Sequence, residues 1–240
     1  MGKFVEEIKR SDRKRLFCFP YAGGGASIYR DWQRAFSNVR VYGMQYPGKE
    51  KRISEKPIVH MEELVNKMEE ELYPFMNDCP FILFGHSLGT KVEYELSLKI
   101  HSDLGIWPEK IIVSGGRAPS IREPQPIYDL GDDLFIKKIM KRYKSIPEEL
   151  ASNKEIMDIF LPSIRADFII DETYERTNIE KVECSIIGLM GKHDQEMSLD
   201  DMKMWEQFTA GGFTYEIIEG DHMFVNNNFE SIHRIIKRML

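Results

Sequence analysis

Ser87 stands in the pentapeptide Gly85-His86-Ser87-Leu88-Gly89, directly after the apolar run Phe81-Ile82-Leu83-Phe84. A serine so placed is a candidate nucleophile for acyl transfer. At a strand-to-helix turn this tight, bulkier side chains at positions 85 and 89 would collide with the neighbouring strand and helix, while the serine is held in a strained backbone conformation. The flanks agree with that reading. Residues 81–84 read as a buried strand, and Leu88, Val92, Leu96 and Ile100 follow at helical spacing.

A serine hydroxyl attacks well only when a base takes its proton, and the base needs a carboxylate to fix its tautomer and stabilise its charged form. Around such an elbow the chain order is serine, acid, histidine. His60 precedes the serine, His86 is committed within the elbow, His101 suits the negative end of a helix, and His233 falls inside the last helical pattern. His222 follows the last strand in Glu219-Gly220-Asp221-His222-Met223-Phe224, where side chains project at the C-terminal edge of a sheet. It is the expected base, with His193 second. Asp194, in Gly191-Lys192-His193-Asp194 after a strand ending at Met190, is the expected acid. No carboxylate stands near Gly116-Arg117-Ala118-Pro119, the place after the preceding strand. Asp221 is too close in sequence to reach round the imidazole, and Asp200 and Asp201 read as helix N-terminal charges.

The oxyanion of a tetrahedral intermediate needs two N–H donors, one from the residue after the nucleophile and one from a loop after an earlier strand. Leu88 supplies the first; Tyr21 or Ala22, in Pro20-Tyr21-Ala22-Gly23-Gly24-Gly25, supplies the second. As a phosphate loop the glycine run lacks a following Lys-Ser/Thr and the Gly-x-Gly-x-x-Gly spacing. No nucleotide cofactor is expected.

The elements that must position these groups alternate. Strands are expected at 16–19, 39–44, 81–84, 110–114, 185–190 and 213–218, and helices at 27–36, 61–76, after Ser87, at 199–208 and near the C-terminus. Such alternation predicts a parallel sheet covered on both faces. Residues 118–180 break the rhythm. Two helical stripes appear there, Ile136, Ile139, Met140 and Tyr143, then Met157, Phe160, Leu161, Ile164 and Phe168, with Pro162 expected to bend or begin a helix. Their position in the chain marks a candidate lid; as stripes alone they read more often as simple core.

The 240 residues suit one large α/β domain, and 42% hydrophobic with 30% charged residues is ordinary for a globular chain that builds its own core. The net charge of −6 argues against nucleic acid as a partner. No apolar stretch is long enough to span a bilayer and the N-terminal residues lack a signal-peptide pattern, so the expected location is the cytoplasm. The three cysteines, Cys18, Cys79 and Cys184, have no metal spacing and read as reduced packing residues.

Taken in order, Phe19-Pro20-Tyr21-Ala22-Gly23-Gly24, Gln45-Tyr46-Pro47-Gly48, the 85–89 elbow, Leu161-Pro162-Ser163-Ile164-Arg165-Ala166-Asp167, Gly191-Lys192-His193-Asp194 and Gly220-Asp221-His222-Met223-Phe224 resemble a type II thioesterase. These are the external editing enzymes of nonribosomal peptide and polyketide synthetases. The resemblance implies an α/β-hydrolase fold over 1–240, a mostly parallel central sheet with helices on both faces and a helical lid insertion at about 118–180. It implies hydrolysis of acyl or aminoacyl thioesters on the phosphopantetheine of acyl or peptidyl carrier domains, with Ser87, His222 and Asp194 as triad, no cofactor of its own, and a monomer acting in trans. Arg165 and Asp167 would be structural. Two departures stand out: Lys49-Glu50 follows Tyr-Pro-Gly where Arg-Gly or a similar small residue is usual, and Leu88 replaces a frequent methionine. Lys137, Lys138, Lys141, Arg142 and Lys144 on one lid helix offer either a docking patch for an acidic carrier or simply a solvated face. A general carboxylesterase or lipase with the same triad, and a non-catalytic binding protein of the same fold, are the competing readings.

Overall fold

The computed structural model describes residues 5–7, 14–36, 38–76, 79–143 and 148–239. Seven strands form one sheet: β1 (Val5–Glu7), β2 (Arg15–Phe19), β3 (Arg40–Met44), β4 (Phe81–His86), β5 (Lys110–Ser114), β6 (Ser185–Gly191) and β7 (Phe213–Ile218). Their order is β1-β3-β2-β4-β5-β6-β7. Every pairing is parallel except that of β1, which runs antiparallel to β3. The sequence pattern had no place for β1, whose Val-Glu-Glu carries one apolar residue.

Period-two alternation sends the side chains of the central strands to opposite faces. Phe17, Phe19, Tyr42 and Leu83 meet α1 (Met61–Leu72) and α2 (Leu88–Leu104) through Leu64, Val65, Met68, Val92 and Leu96. Leu16, Cys18, Val41, Ile82 and Phe84 face a 3₁₀ helix over Ala26–Arg34 and the C-terminal helix. Both faces are dry, which is why these strands read as continuous apolar runs.

Between β5 and β6 the chain forms α3 (Asp132–Tyr143), α4 (Glu148–Ala151) and α5 (Lys154–Thr173). Most of the two stripes expected there share a cluster in which Phe135, Ile139, Met157, Leu161 and Phe168 are buried, whereas Phe160 is exposed. Pro162 does not begin a helix. Asn153 caps α5, its side chain accepting from Ile156 N–H, and the helix runs on through Pro162. After β6 come α6 (Leu199–Lys203) and a 3₁₀ turn to Phe208; after β7 come α7 (Phe224–Asn227) and α8 (Phe229–Met239).

The chain leaves β2 outward to β3 and then returns across it to β4. The loops after β2 and β4 therefore part company at the carboxyl edge, the place where open α/β sheets hold ligands.

Candidate active site

The elbow owes its shape to two absent side chains. A Cβ at Gly85 would lie 2.3 Å from the Gly89 carbonyl group, and one at Gly89 would lie 2.2 Å from the Phe19 carbonyl oxygen. Only glycine lets β2, β4 and α2 approach so closely. Ser87 between them has φ 53° and ψ −118°, a strained conformation for a non-glycine residue. Its N–H donates to the Ser114 carbonyl at 2.8 Å, which ties the turn to β5.

The loops after β6 and β7 run side by side, because Gly191 pairs with Ile218 at the ends of those strands. Lys192 N–H donates to the Ile218 carbonyl at 2.7 Å and His193 N–H to the Gly220 carbonyl at 2.9 Å. A Cβ at Gly191 would meet the Asp221 carbonyl at 2.5 Å. Across this joint, Asp194 Oδ2 is 2.9 Å from His222 Nδ1, and His222 Nε2 is 3.2 Å from Ser87 Oγ. The structure thus brings Ser87, His222 and Asp194 into one hydrogen-bonded chain. Asp194 is fully enclosed, and its other oxygen accepts from Glu196 N–H at 2.8 Å.

Burial works against a charge on His222, but the hydrogen bond and charge of Asp194, with Glu196 and Asp171 behind it, outweigh burial and hold its pKa above the ordinary 6.5. His86 goes the other way. Burial first, and then the charge on His222, hold it well below 6.5. It is therefore neutral, and its tautomer follows from its partners. The His222 carbonyl, 3.0 Å from Nε2, can only accept, so Nε2 carries the hydrogen and Nδ1 accepts from Ser114 Oγ at 2.9 Å. His86 anchors the backbone of the histidine loop. His193, second candidate for base, is exposed and bonded to Glu219 at 2.8 Å. His233 is packed against Trp32 and Phe36.

Tyr21, Ala22 and Ser87 line one cavity. In the loop after β2, Gly24 N–H is taken by the Tyr21 carbonyl at 2.8 Å and Gly23 N–H by Asp167 Oδ2 at 2.7 Å. Neither is free for a ligand oxygen; Leu88, the other residue whose N–H is expected at the oxyanion, is the first residue of α2. Asp167 also receives Lys49 Nζ at 2.6 Å, both side chains being nearly enclosed. Burial lifts the Asp167 carboxyl above the usual range against the pull of Lys49 and Gly23. The Lys49-Glu50 departure has a physical place here. Lys49 pins the lid helix, while Glu50, at φ 45°, accepts from Ser27 beside the glycine loop. Arg165 serves the lid, donating to the Leu130 carbonyl at 2.8 Å and pairing with Asp132 at 2.7 Å.

The room at Ser87 is slight. One cavity of about 10 Å³ is lined by Tyr21, Ala22, Tyr143, Phe168, Asp171 and Met223, and another of about 20 Å³ by Lys91, Arg117, Glu123, Asp171 and Glu196, among others. Each holds about one water molecule. A larger cavity of about 490 Å³ between α1, α2 and residues 174–180 is lined by none of Ser87, His222 and Asp194. Tyr143 and Phe168 were legible only as lid stripe. Asp171 carried a missed signal: Met157, Leu161, Ile164 and Phe168 step by four, three and four, and the next step on that face is a carboxylate.

The Thioesterase domain family matches residues 14–240 of the chain. The gramicidin S biosynthesis protein GrsT of Aneurinibacillus migulanus is 34% identical over 97% of this chain and 90% of its own length. Thioesterase PikA5 of Streptomyces venezuelae is 31% identical over 91% and 78%. Among solved structures, the type II thioesterase BorB from the borrelidin cluster superposes with a TM-score of 0.88 at 29% identity over 98% of this chain and 96% of that one. YbtT, a type II thioesterase from the yersiniabactin pathway, gives 0.89 at 26% over 98% and 97%. The fold is that of an α/β-hydrolase.

Proposed function

The chain belongs to the thioesterase family and is a serine hydrolase of that kind; on that premise we propose that it hydrolyses acyl and aminoacyl thioesters on the phosphopantetheine arm of carrier domains, clearing misprimed units from a nonribosomal peptide or polyketide synthetase. The single observation that carries this reading is the Ser87–His222–Asp194 chain at the carboxyl edge of the sheet.

Ser87 Oγ attacks the thioester carbonyl carbon as its proton passes to His222 Nε2. The oxyanion is held by the Leu88 N–H and by that of Ala22, or of Tyr21 in the same loop. The carbon–sulfur bond then breaks, His222 returns the proton to the departing thiolate, and the acyl group remains as an ester on Ser87. Water, deprotonated by His222, repeats the cycle and releases a carboxylic acid. Asp194 holds the imidazole with Nδ1 protonated throughout and stabilises its charged form. Every proton is moved by the chain's own residues, and phosphopantetheine arrives as part of the substrate.

With α3 and α5 resting over Ser87, an acyl chain enters only when the lid shifts. The same lid offers a docking surface for an acidic carrier. Lys137 and Lys141 are exposed on α3 and Lys138 is half-exposed. Arg142 does not belong to that patch, since it turns inward to the Gln125 carbonyl at 2.7 Å, and Lys144 lies outside the described residues. The site is complete within one chain, which supports a monomer, and its place is the cytoplasm with the synthetase. No described helix is long and apolar enough to cross a membrane.

Hydrolysis of an acyl-phosphopantetheinyl carrier domain by the parent and by Ser87→Ala tests the reading. Release that the substitution abolishes supports it. Turnover of small oxygen esters with no preference for the carrier would make the protein a general esterase, and turnover of neither a binding protein.

A further inference from the structure

Two cavities meet at the nucleophile, and four residues line both: Ser87, Tyr143, Asp171 and His222. Of these, Asp171 is the one whose charge the hydrolytic steps leave unused. A carboxylate in so confined a place persists only if its charge is held. Lys91 holds it: Nζ lies 2.6 Å from Asp171 Oδ1 and donates as well to the Asp171 carbonyl at 2.7 Å. One partner comes from α2, a turn past the nucleophile, and the other from α5 in the lid. Lys91 is nearly enclosed, whereas 18% of the Asp171 side chain is exposed. A carboxylate offers about four lone-pair positions, and Lys91 occupies one.

The polar cavity carries two more carboxylates. Glu123 is bound to Arg117. Glu196 is held loosely, with Tyr143 Oη at 3.4 Å and Arg142 Nε at 4.0 Å. Asp171 and Glu196 both act on His222 and on the Tyr143 hydroxyl as negative charges. Lys91 and Arg117 line the same cavity, so its three carboxylates exceed its two cations by one.

In an acyl-enzyme the substituents on the α-carbon lie two bonds from the carbonyl carbon attached to Ser87, so they enter one of these two cavities. Asp171 lines each. We infer that Asp171, held in place by Lys91, receives the α-ammonium of an aminoacyl group, so that the enzyme selects aminoacyl thioesters over plain acyl thioesters of the same shape. This inference rests on the thioesterase reading above. An alkyl group at the same position leaves the carboxylate facing apolar atoms, and an acyl group bearing its own carboxylate meets like charge, so rejection adds to attraction.

The test compares alanyl and isobutyryl thioesters of one phosphopantetheinyl carrier domain, since the two acyl groups differ only by ammonium against methyl. The readout is the ratio of their kcat/KM values in the parent, in Asp171→Asn, and in Lys91→Met/Asp171→Leu, which removes the ion pair as a unit. The intrinsic lability of the alanyl ester is common to all three proteins and cancels between them. Expected is a ratio that falls roughly tenfold or more in both variants, the size of one lost charge-assisted hydrogen bond. Thermal unfolding identifies a variant that fails to fold, and the other then carries the result. A ratio unchanged by substitution in a folded variant overturns the inference while leaving the thioesterase reading intact. Absence of hydrolysis of either ester by the parent overturns both.

Discussion

Replacing Asp194 by asparagine changes no volume and little shape, yet it should nearly abolish turnover. The two oxygens of Asp194 each accept one hydrogen, Oδ1 from Glu196 N–H at 2.8 Å and Oδ2 from His222 Nδ1 at 2.9 Å. An amide has one acceptor oxygen and one donor NH₂. If its NH₂ faced Glu196, two donors would abut in a fully enclosed place, an unmade bond costing about 1–3 kcal/mol. The amide therefore turns its oxygen to Glu196 and its NH₂ to His222. Nδ1 must then accept, the ring hydrogen moves to Nε2, and Nε2 can no longer take the proton of Ser87. The same conflict in the template triad lowers kcat about 10⁴-fold, which corresponds to about 5.5 kcal/mol of barrier. Asp194 touches no substrate, so KM should stay within a few-fold. Steady-state thiol release from an acyl-pantetheine thioester measures both constants, with thermal unfolding to establish that the variant is folded. A folded variant that retains more than a tenth of the parent kcat would mean that the amide does not reverse the His222 tautomer.

Four further outcomes are expected. Because the base acts when neutral and the His222 pKa is raised, kcat/KM should climb with pH through an inflection above 6.5, while the stability contributed by protonated His222 is present below 6.5 and lost over that same rise; an inflection at or below 6.5 in a pH–rate profile would contradict the assignment. Gly89→Ala places a methyl 2.2 Å from the Phe19 carbonyl oxygen, so the variant should lose more than the usual 1–3 kcal/mol of an overpacked site, read as a large drop in Tm or loss of soluble protein. Asp167→Leu leaves Lys49 buried without its partner, about 3–5 kcal/mol, and leaves the Gly23 N–H of the loop after β2 without its acceptor; Lys49→Met added to it should restore much of the Tm but not kcat. Charge reversal at Lys138 and Lys141 should raise KM for the acyl carrier domain and leave a small acyl thioester untouched, with equal carrier kinetics counting against the docking patch.

Much of the framework was legible because it rests on local pattern. The strands buried on both faces wrote themselves as apolar runs, and Gly85 and Gly89 announced a close approach that the Cβ distances confirm. The order of Ser87, Asp194 and His222 followed from the logic of loops after strands. Features that depend on what meets across the fold were not legible. Lys91 and Asp171 are 80 positions apart, and a lysine in the helix behind an elbow reads as a surface charge until α5 folds over it. Lys49 looked like an irregularity until Asp167 was set beside it. β1 was missed because an edge strand paired through its backbone to β3 needs no apolar run, and α7 because four residues show no period.

In the proposed reaction the acyl group passes through an ester on Ser87. Rapid acid quench of the protein with an acyl-phosphopantetheinyl carrier domain, followed by mass spectrometry of the proteolytic peptides, tests it most directly. The predicted result is an increment equal to the acyl group on the peptide containing Ser87, absent in Ser87→Ala together with hydrolysis. Undiminished hydrolysis by Ser87→Ala, or an increment on another residue in its place, would contradict it.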